Sequence, residues 1–364
     1  MTDELRAVQS FWQMELPQSF VNFYETITER DLPPYEFLSP EEIARGAGRS
    51  YGMLPQYLPF ARTEMGDGLY GFFLTPQRSE GALPVAFWDE EEMFLRPVST
   101  DFDAFLGHCV LTSLYESQED SSEEIVDKAL LEKAKEFVSK LGLIPTLATH
   151  ALPENDRELC HRLAGLDPHD SASLCHLGCA FRSQGEEERA LDFFHRASEA
   201  TTWFGDPAYL HADLYRLRGN NERACQGWWQ VVNQLIPLCT RTWEWDLGED
   251  HPDAEIYEIA ADALIQFGQT AAPQMKSSPL WRVVTSEDPY DPDVREELAG
   301  RLRTQGDADG FERELLNTLS LCMEDRGKQP ERIYDALQNL YEQSGRARES
   351  AIIRFDRTLP RPQR

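Results

Sequence analysis

Tyr57-Leu58-Pro59-Phe60-Ala61-Arg62-Thr63-Glu64-Met65-Gly66-Asp67-Gly68-Leu69-Tyr70-Gly71-Phe72-Phe73-Leu74 is the stretch whose reading decides the fold of the first part of the chain. Two apolar, aromatic-rich runs, Tyr57–Ala61 and Leu69–Leu74, stand on either side of Gly66-Asp67-Gly68. Aromatic and branched residues favour strands, and Gly-Asp-Gly permits a tight turn between them. Downstream, Leu83-Pro84-Val85-Ala86-Phe87-Trp88 and Met93–Val98 read as two more strands. Phe102, Phe105, Leu106 and Cys109 then recur at helical spacing, with Ser99, Thr100 or Asp101 as the cap. Upstream, Leu5 to Ile27 has helical periodicity interrupted at Leu16-Pro17. Pro17 suits the first turn of a second helix that buries Phe20, Phe23, Tyr24 and Ile27. Ser39-Pro40-Glu41-Glu42-Ile43 is a further helix start, with Ser39 and Glu42 forming a capping box. These signals predict an α+β N-terminal domain built on a small, mainly antiparallel sheet with flanking helices.

The polar stretch Glu116–Glu124 reads as a linker, which puts a 1–118 domain before a 119–364 domain. Ser121 and Glu124 form a capping box for a helix carrying Val126, Leu130, Ala134, Phe137 and Leu141. From there the pattern is helical, and it repeats. Shifting residue 171 onto 205 places Leu177 on His211, Gly178 on Ala212 and Phe181 on Tyr215. The same shift places Gly185 on Gly219, Ala190 on Ala224 and Phe194 on Trp228. Small residues suit close helix approach, aromatics fill the space between helices, and Gly marks the turn. Such a helix-turn-helix period resembles the tetratricopeptide repeat. Gly306 and Gly345 fit the turns of looser units, and a helix pair is expected around Gly268. An insertion, Leu235–Asp253, carries Trp243-Glu244-Trp245-Asp246. The second domain is therefore expected to be an all-α helix-turn-helix repeat solenoid.

Composition narrows the function. The chain has 364 residues, 64 of them Asp or Glu against 35 Lys or Arg, for a net charge of −29. Phosphate contacts need a basic stripe, so direct nucleic-acid binding is disfavoured, and so is an anionic membrane surface. With 41% hydrophobic and 11% aromatic residues, the chain can bury a core. No run of apolar residues is long enough to span a membrane. An acidic N-terminus without an apolar segment, and seven cysteines at irregular spacing, point to a cytoplasmic protein with reduced thiols.

The ordered signals of residues 5–115 resemble the SUKH superfamily, which includes yeast cell-wall-assembly regulators and many bacterial toxin-immunity proteins. The resemblance rests on Leu16-Pro17-x-x-Phe20-x-x-Phe23-Tyr24, Phe37-Leu38-Ser39-x-x-Glu42-Ile43 and Leu58-Pro59-Phe60-Ala61. It continues through Gly66-Asp67-Gly68, Leu83-Pro84-Val85 with Trp88, and Ser99-x-x-Phe102-x-x-Phe105-Leu106. The resemblance implies a non-enzymatic protein-binding module, commonly one that neutralises a cognate toxin, often a nuclease. The repeats would add a second docking surface. The alternative is a cytoplasmic regulatory scaffold in which the repeats recruit a client.

The residues themselves offer no catalytic motif, cofactor or metal site. Gly46-Ala47-Gly48-Arg49-Ser50 lacks phosphate-loop spacing and reads as a helix-ending turn. Cys175 and Cys179, with His176, share a helix face but lack a fourth ligand, so buried thiols are the simpler reading. Asp89-Glu90-Glu91-Glu92, after Trp88, is either a solvated turn or an anionic knob for a basic partner, and Glu64 and Asp67 extend it if the loops cluster. Trp243 and Trp245 either anchor a partner or cap neighbouring helices.

Overall fold

The computed structural model describes residues 2–12, 14–27, 32, 34–47, 49, 52–74, 83–119, 136, 139–141, 153–245, 253–322 and 329–358. The chain packs as two compact units. One comprises Met1–Arg49, Gln56–Glu91 and Pro97–Leu177, and the other Ser50–Pro55, Glu92–Arg96 and Gly178–Arg364.

The chain opens with α1 (Asp3–Trp12) and α2 (Gln18–Thr26), the latter with Pro17 at its N-cap position and no side-chain capping bond. α3 (Pro40–Ala44) begins at the capping box: Ser39 accepts from the Glu42 backbone N–H, and the Glu42 carboxylate accepts from the Ser39 N–H at 2.7 Å. The five strands of one sheet neighbour one another in chain order, β1 standing before α3 and the rest after it: β1 (Tyr35–Phe37), β2 (Tyr57–Thr63), β3 (Gly68–Phe73), β4 (Val85–Asp89) and β5 (Leu95–Ser99). β1 to β4 pair antiparallel, with Tyr57 opposite Phe73 and Gly68 opposite Asp89. β1 goes unrecognised in the sequence because three residues next to Pro34 are too few to show an alternation. α4 (Phe102–Glu119) closes the domain, with Asp101 accepting from the Ala104 N–H at 2.8 Å as its cap. Residues 116–119, read from sequence as linker, form the end of this helix. The Ser121–Glu124 capping box lies outside the described residues, as do nearly all residues of the helix after it.

One face of the sheet carries an aromatic core. The Phe20 ring of α2 lies 5.6 Å from Phe60, 5.3 Å from Phe72 and 4.9 Å from Phe102, mostly edge to face. Such pairs add to the burial of the rings themselves. On β3 every residue is buried, so both sheet faces are covered. Gly71 makes this possible, since a Cβ there would come within 2.7 Å of the Tyr57 ring. The Tyr57 hydroxyl donates to the Leu69 carbonyl at 2.6 Å, so its burial leaves no polar group unsatisfied. Within the same unit, Asp167 accepts from the Thr100 N–H at 2.7 Å, and Tyr115 donates to Asp156 at 2.8 Å. These bonds tie α5 (Asp156–Leu166) and the residue after it to the sheet domain.

The remaining region is helical: α6 (Ser171–Ser183), α7 (Glu187–Ala200), α8 (Asp206–Leu217), α9 (Asn221–Val232), α10 (Ile256–Ala271), α11 (Trp281–Val284), α12 (Pro292–Gln305), α13 (Ala308–Leu321), α14 (Gln329–Gln343) and α15 (Ala347–Thr358). Four helix pairs turn in the same way. Gly185, Gly219, Gly306 and Gly345 all have φ between +72° and +77°. In each, the next residue's N–H returns to the carbonyl four positions before the glycine: Glu186 to Phe181, Asn220 to Tyr215, Asp307 to Leu302 and Arg346 to Tyr341. This is the Schellman closure, which needs a left-handed residue and so favours glycine. Gly268 differs. It sits inside α10, not at a turn, and its missing Cβ admits the Trp281 ring, which a Cβ would meet at 3.2 Å. The expected pair there is one helix followed by a 3-10 turn and the short α11.

A buried ion pair fastens the later helices. Arg295 of α12 and Glu314 of α13 are fully buried and 2.8 Å apart. Arg295 also donates to the Pro289 carbonyl at 2.9 Å and to the Tyr257 hydroxyl, while Arg313 holds the other Glu314 oxygen. A buried pair is tolerable only when its remaining polar atoms are satisfied in this way. No helix among the described residues is long and apolar enough to cross a membrane.

Candidate partner-binding face

The sheet register brings two loops to one end. Gly68 stands opposite Asp89, and the Glu90 N–H donates to the Asp67 carbonyl at 3.0 Å. The β2–β3 turn and the turn after β4 are therefore neighbours, with Asp67 beside Glu90; Glu64 lies at the same end of the sheet but on its β1 side, its N–H donating to the Pro34 carbonyl at 2.8 Å.

These acids differ in what they do. Asp67 accepts from the Thr63 hydroxyl at 2.5 Å, and Asp89 accepts from the Glu91 N–H at 2.9 Å. Both build their own turns, a common use of Asp. Glu64, Glu90 and Glu91 are exposed. Between the acids, Met65 is 89% exposed at the hairpin tip, the most exposed of the large apolar side chains among the described residues. Met65 is absent from the residues the sequence singles out, although an apolar residue inside Glu-Met-Gly-Asp-Gly is a visible signal. The neighbouring strand pair is self-neutralised: Arg62 grips Glu36 through two 2.7 Å bonds, and this holds the Glu36 carboxyl below the usual range. Glu92 departs from the run, because its carboxylate lies 3.3 Å from the Arg241 guanidinium.

Two tryptophans read as partner contacts are corrected. Trp88 is fully buried, because β4 is covered on both faces, so its ring offers a partner no surface. Trp245 is 1% exposed, its indole N–H donating to Asp206 at 2.9 Å. It caps the fold. Trp243, two residues earlier in a 3-10 turn, is 51% exposed. Thr240 also donates to Asp206 through its backbone N–H at 3.0 Å and through its hydroxyl, which anchors the insertion on the start of α8.

Among the repeat residues, Leu177, Phe181, Ala190, Phe194, Ala212, Ala224 and Trp228 are buried. A Cβ on Gly178 would fall 2.4 Å from the Phe194 ring. In the next pair the close approach moves to the other helix, where a Cβ on Gly227 would fall 2.7 Å from Ala212. Tyr215 is half-buried, its ring 4.7 Å from His211 and 5.1 Å from the Arg223 guanidinium. Cys175 and Cys179 are buried within α6. No group of three His, Cys, Asp or Glu side chains that could hold a metal occurs among the described residues.

A search of the curated proteins finds no match to the chain. A family comparison does: residues 2–108 match the SMI1 / KNR4 family (SUKH-1). The matched span runs from α1 through the five strands into α4, and so coincides with the sheet domain that carries the acidic loop end. The N-terminal domain is thus a SUKH domain of the SMI1 / KNR4 type, and a helical region follows it in this chain.

Proposed function

We propose that this chain is a non-catalytic protein-binding protein of the immunity type, which recognises a basic protein through the acidic loop end of its SUKH domain and neutralises it by occlusion. The observation that carries this reading is that exposed Glu64, Met65, Glu90 and Glu91 all stand at one end of a well-packed sheet. Exposed carboxylates speed encounter with a cationic partner, and a central apolar side chain supplies contact area. The SUKH match agrees with an immunity or regulatory role. A nuclease toxin fits as the partner, because a protein that grips phosphates presents the basic surface the loops would meet.

A second reading, a cytoplasmic scaffold, draws on Trp243, whose exposed ring in the helical unit suits a client contact. Co-expression with the product of an adjacent toxin gene separates the two. Restored growth of the toxin-expressing cells supports immunity. Growth arrest despite full expression of this chain, together with recovery of several housekeeping proteins on Trp243 and none on the loops, supports the scaffold.

A further inference from the structure

The unit containing the later helices holds a cavity of about 220 Å³ that the acidic loop end does not use. All of its lining residues belong to the compact unit of Ser50–Pro55, Glu92–Arg96 and Gly178–Arg364. Pockets for drug-sized ligands run to roughly 300–1,000 Å³. This one suits a guest the size of one amino-acid side chain and is too small for a nucleotide cofactor.

Its charge is unbalanced. Arg241, Glu92 and Glu255 line it. Arg241 lies 3.3 Å from Glu92 and 3.3 Å from Asp253, so two carboxylates already satisfy its guanidinium. Glu255 is the third carboxylate. It precedes α10 without capping it, and it forms no ion pair among the described residues. Across from it, the Tyr290 hydroxyl is buried without a well-formed hydrogen bond. Burial first, and then the Glu255 charge, push that phenol well above its ordinary range, so it stays protonated. Its lone pairs can accept from a guest. Phe94, Pro237 and Leu321 supply apolar wall. Met93, also in the lining, holds φ +57°, a conformation that costs a non-glycine residue energy and collects at ligand sites.

We propose that this cavity binds one organic cation, an alkyl-ammonium or alkyl-guanidinium group. Glu255 supplies the counter-charge, the Tyr290 hydroxyl a second acceptor, and Phe94, Pro237 and Leu321 the surface for the aliphatic stem. A negatively charged pocket whose Glu255 carboxylate faces the Tyr290 hydroxyl and forms no ion pair among the described residues, with an apolar collar, selects such a guest over an anion or a neutral alcohol. The Phe94 ring adds a cation–π contact if the charge reaches its face. The guest comes either from a lysine or arginine of another protein or from a free amine. The proposal stands on this cavity and does not depend on the acidic loops.

Ligand-observed NMR titration of the full chain tests it, with n-butylguanidinium and pentylamine as cations and 1-pentanol and valerate as the neutral and anionic controls. Saturable binding of the cations at roughly millimolar strength, as suits so few atoms, is the expected result. Glu255→Gln should weaken it at least about fivefold. Tyr290→Phe should weaken it less, and both variants should keep the native melting temperature within a few degrees. Should Glu255→Gln fail to fold, Tyr290→Phe with the control ligands carries the test. Equal binding of pentanol, undiminished binding by both variants, or no saturation with any cation overturns the proposal. A blocked arginine amide binding more tightly than the simple amines identifies a protein side chain as the guest, and the reverse order identifies a free amine; either order supports the site.

Discussion

Asp206 is a single carboxylate on which a whole insertion depends. It is buried, and Thr240 and Trp245 direct three hydrogen bonds to it. Burial pushes its carboxyl from an ordinary 3.8 up to about 7, against the lowering effect of those donors. A raised acid pKa means that the folded state holds the proton more tightly than the unfolded chain does. The stability it contributes is therefore complete below about pH 4 and is lost as pH rises through about 7. Asp170, pushed up to about 7 by burial, acts in the same direction. Urea unfolding between pH 4 and 8 should show stability falling across that window. Asp206→Asn should flatten the fall by up to about 1.4 kcal/mol per pH unit, the limit for one proton. Identical slopes in the two proteins would refute this role. Sequence could not supply it. Asp206 begins a helix, as many surface aspartates do, and only the folded insertion buries it. The same holds for Trp88 and Trp245, whose exposure is set by packing partners distant in sequence.

Helices and strands were legible wherever their period had room to show. The Ser39–Glu42 capping box, the Gly66-Asp67-Gly68 turn and the four glycine turns follow from local chemistry, and the structure has them all. β1 is too short to read, and the helix pair expected around Gly268 is instead one long helix, because a glycine between two helices and a glycine under an aromatic ring look alike in sequence. Glycines with different surroundings should respond with opposite signs. At Gly178 an added methyl meets the Phe194 ring at 2.4 Å, so Gly178→Ala should destabilise by about 1–3 kcal/mol through overpacking. At Gly300, inside α12, an added methyl meets nothing within 4 Å. Gly300→Ala should therefore stabilise by about 0.5–1 kcal/mol through helix propensity. Thermal melts of the two variants should move in opposite directions. Shifts of the same sign would show that the close helix approach at Gly178 is not as tight as described.

At the scale of the molecule, charge and fold converge. Residues 1–120 hold 21 acidic and 7 basic side chains, a net of −14, and the remaining 244 hold 43 and 28, a net of −15. The SUKH part is thus about twice as anionic per residue, and its sheet gathers Glu64, Glu90 and Glu91 at one end. Sequence could raise the clustering of these loops only as a condition; the structure brings Asp67 beside Glu90 and leaves Glu64 on the β1 side of the same sheet end. Asp67 is readable as a turn residue between two glycines, but Asp89 cannot be told in advance from the exposed glutamates after it, because that depends on where its hydrogen bond to the Glu91 N–H closes. The most direct test of the proposed role is equilibrium binding of the toxin neutralised in co-expression, measured at about 50 and 300 mM salt with the native chain and with Glu64→Gln/Glu90→Gln/Glu91→Gln. This variant keeps the turn-building aspartates. With about 0.5–1 kcal/mol per rim carboxylate, it should bind roughly ten- to a hundredfold more weakly at low salt and depend less on salt. Equal affinity and equal salt dependence in the two proteins would show that the acidic loop end is not the binding face.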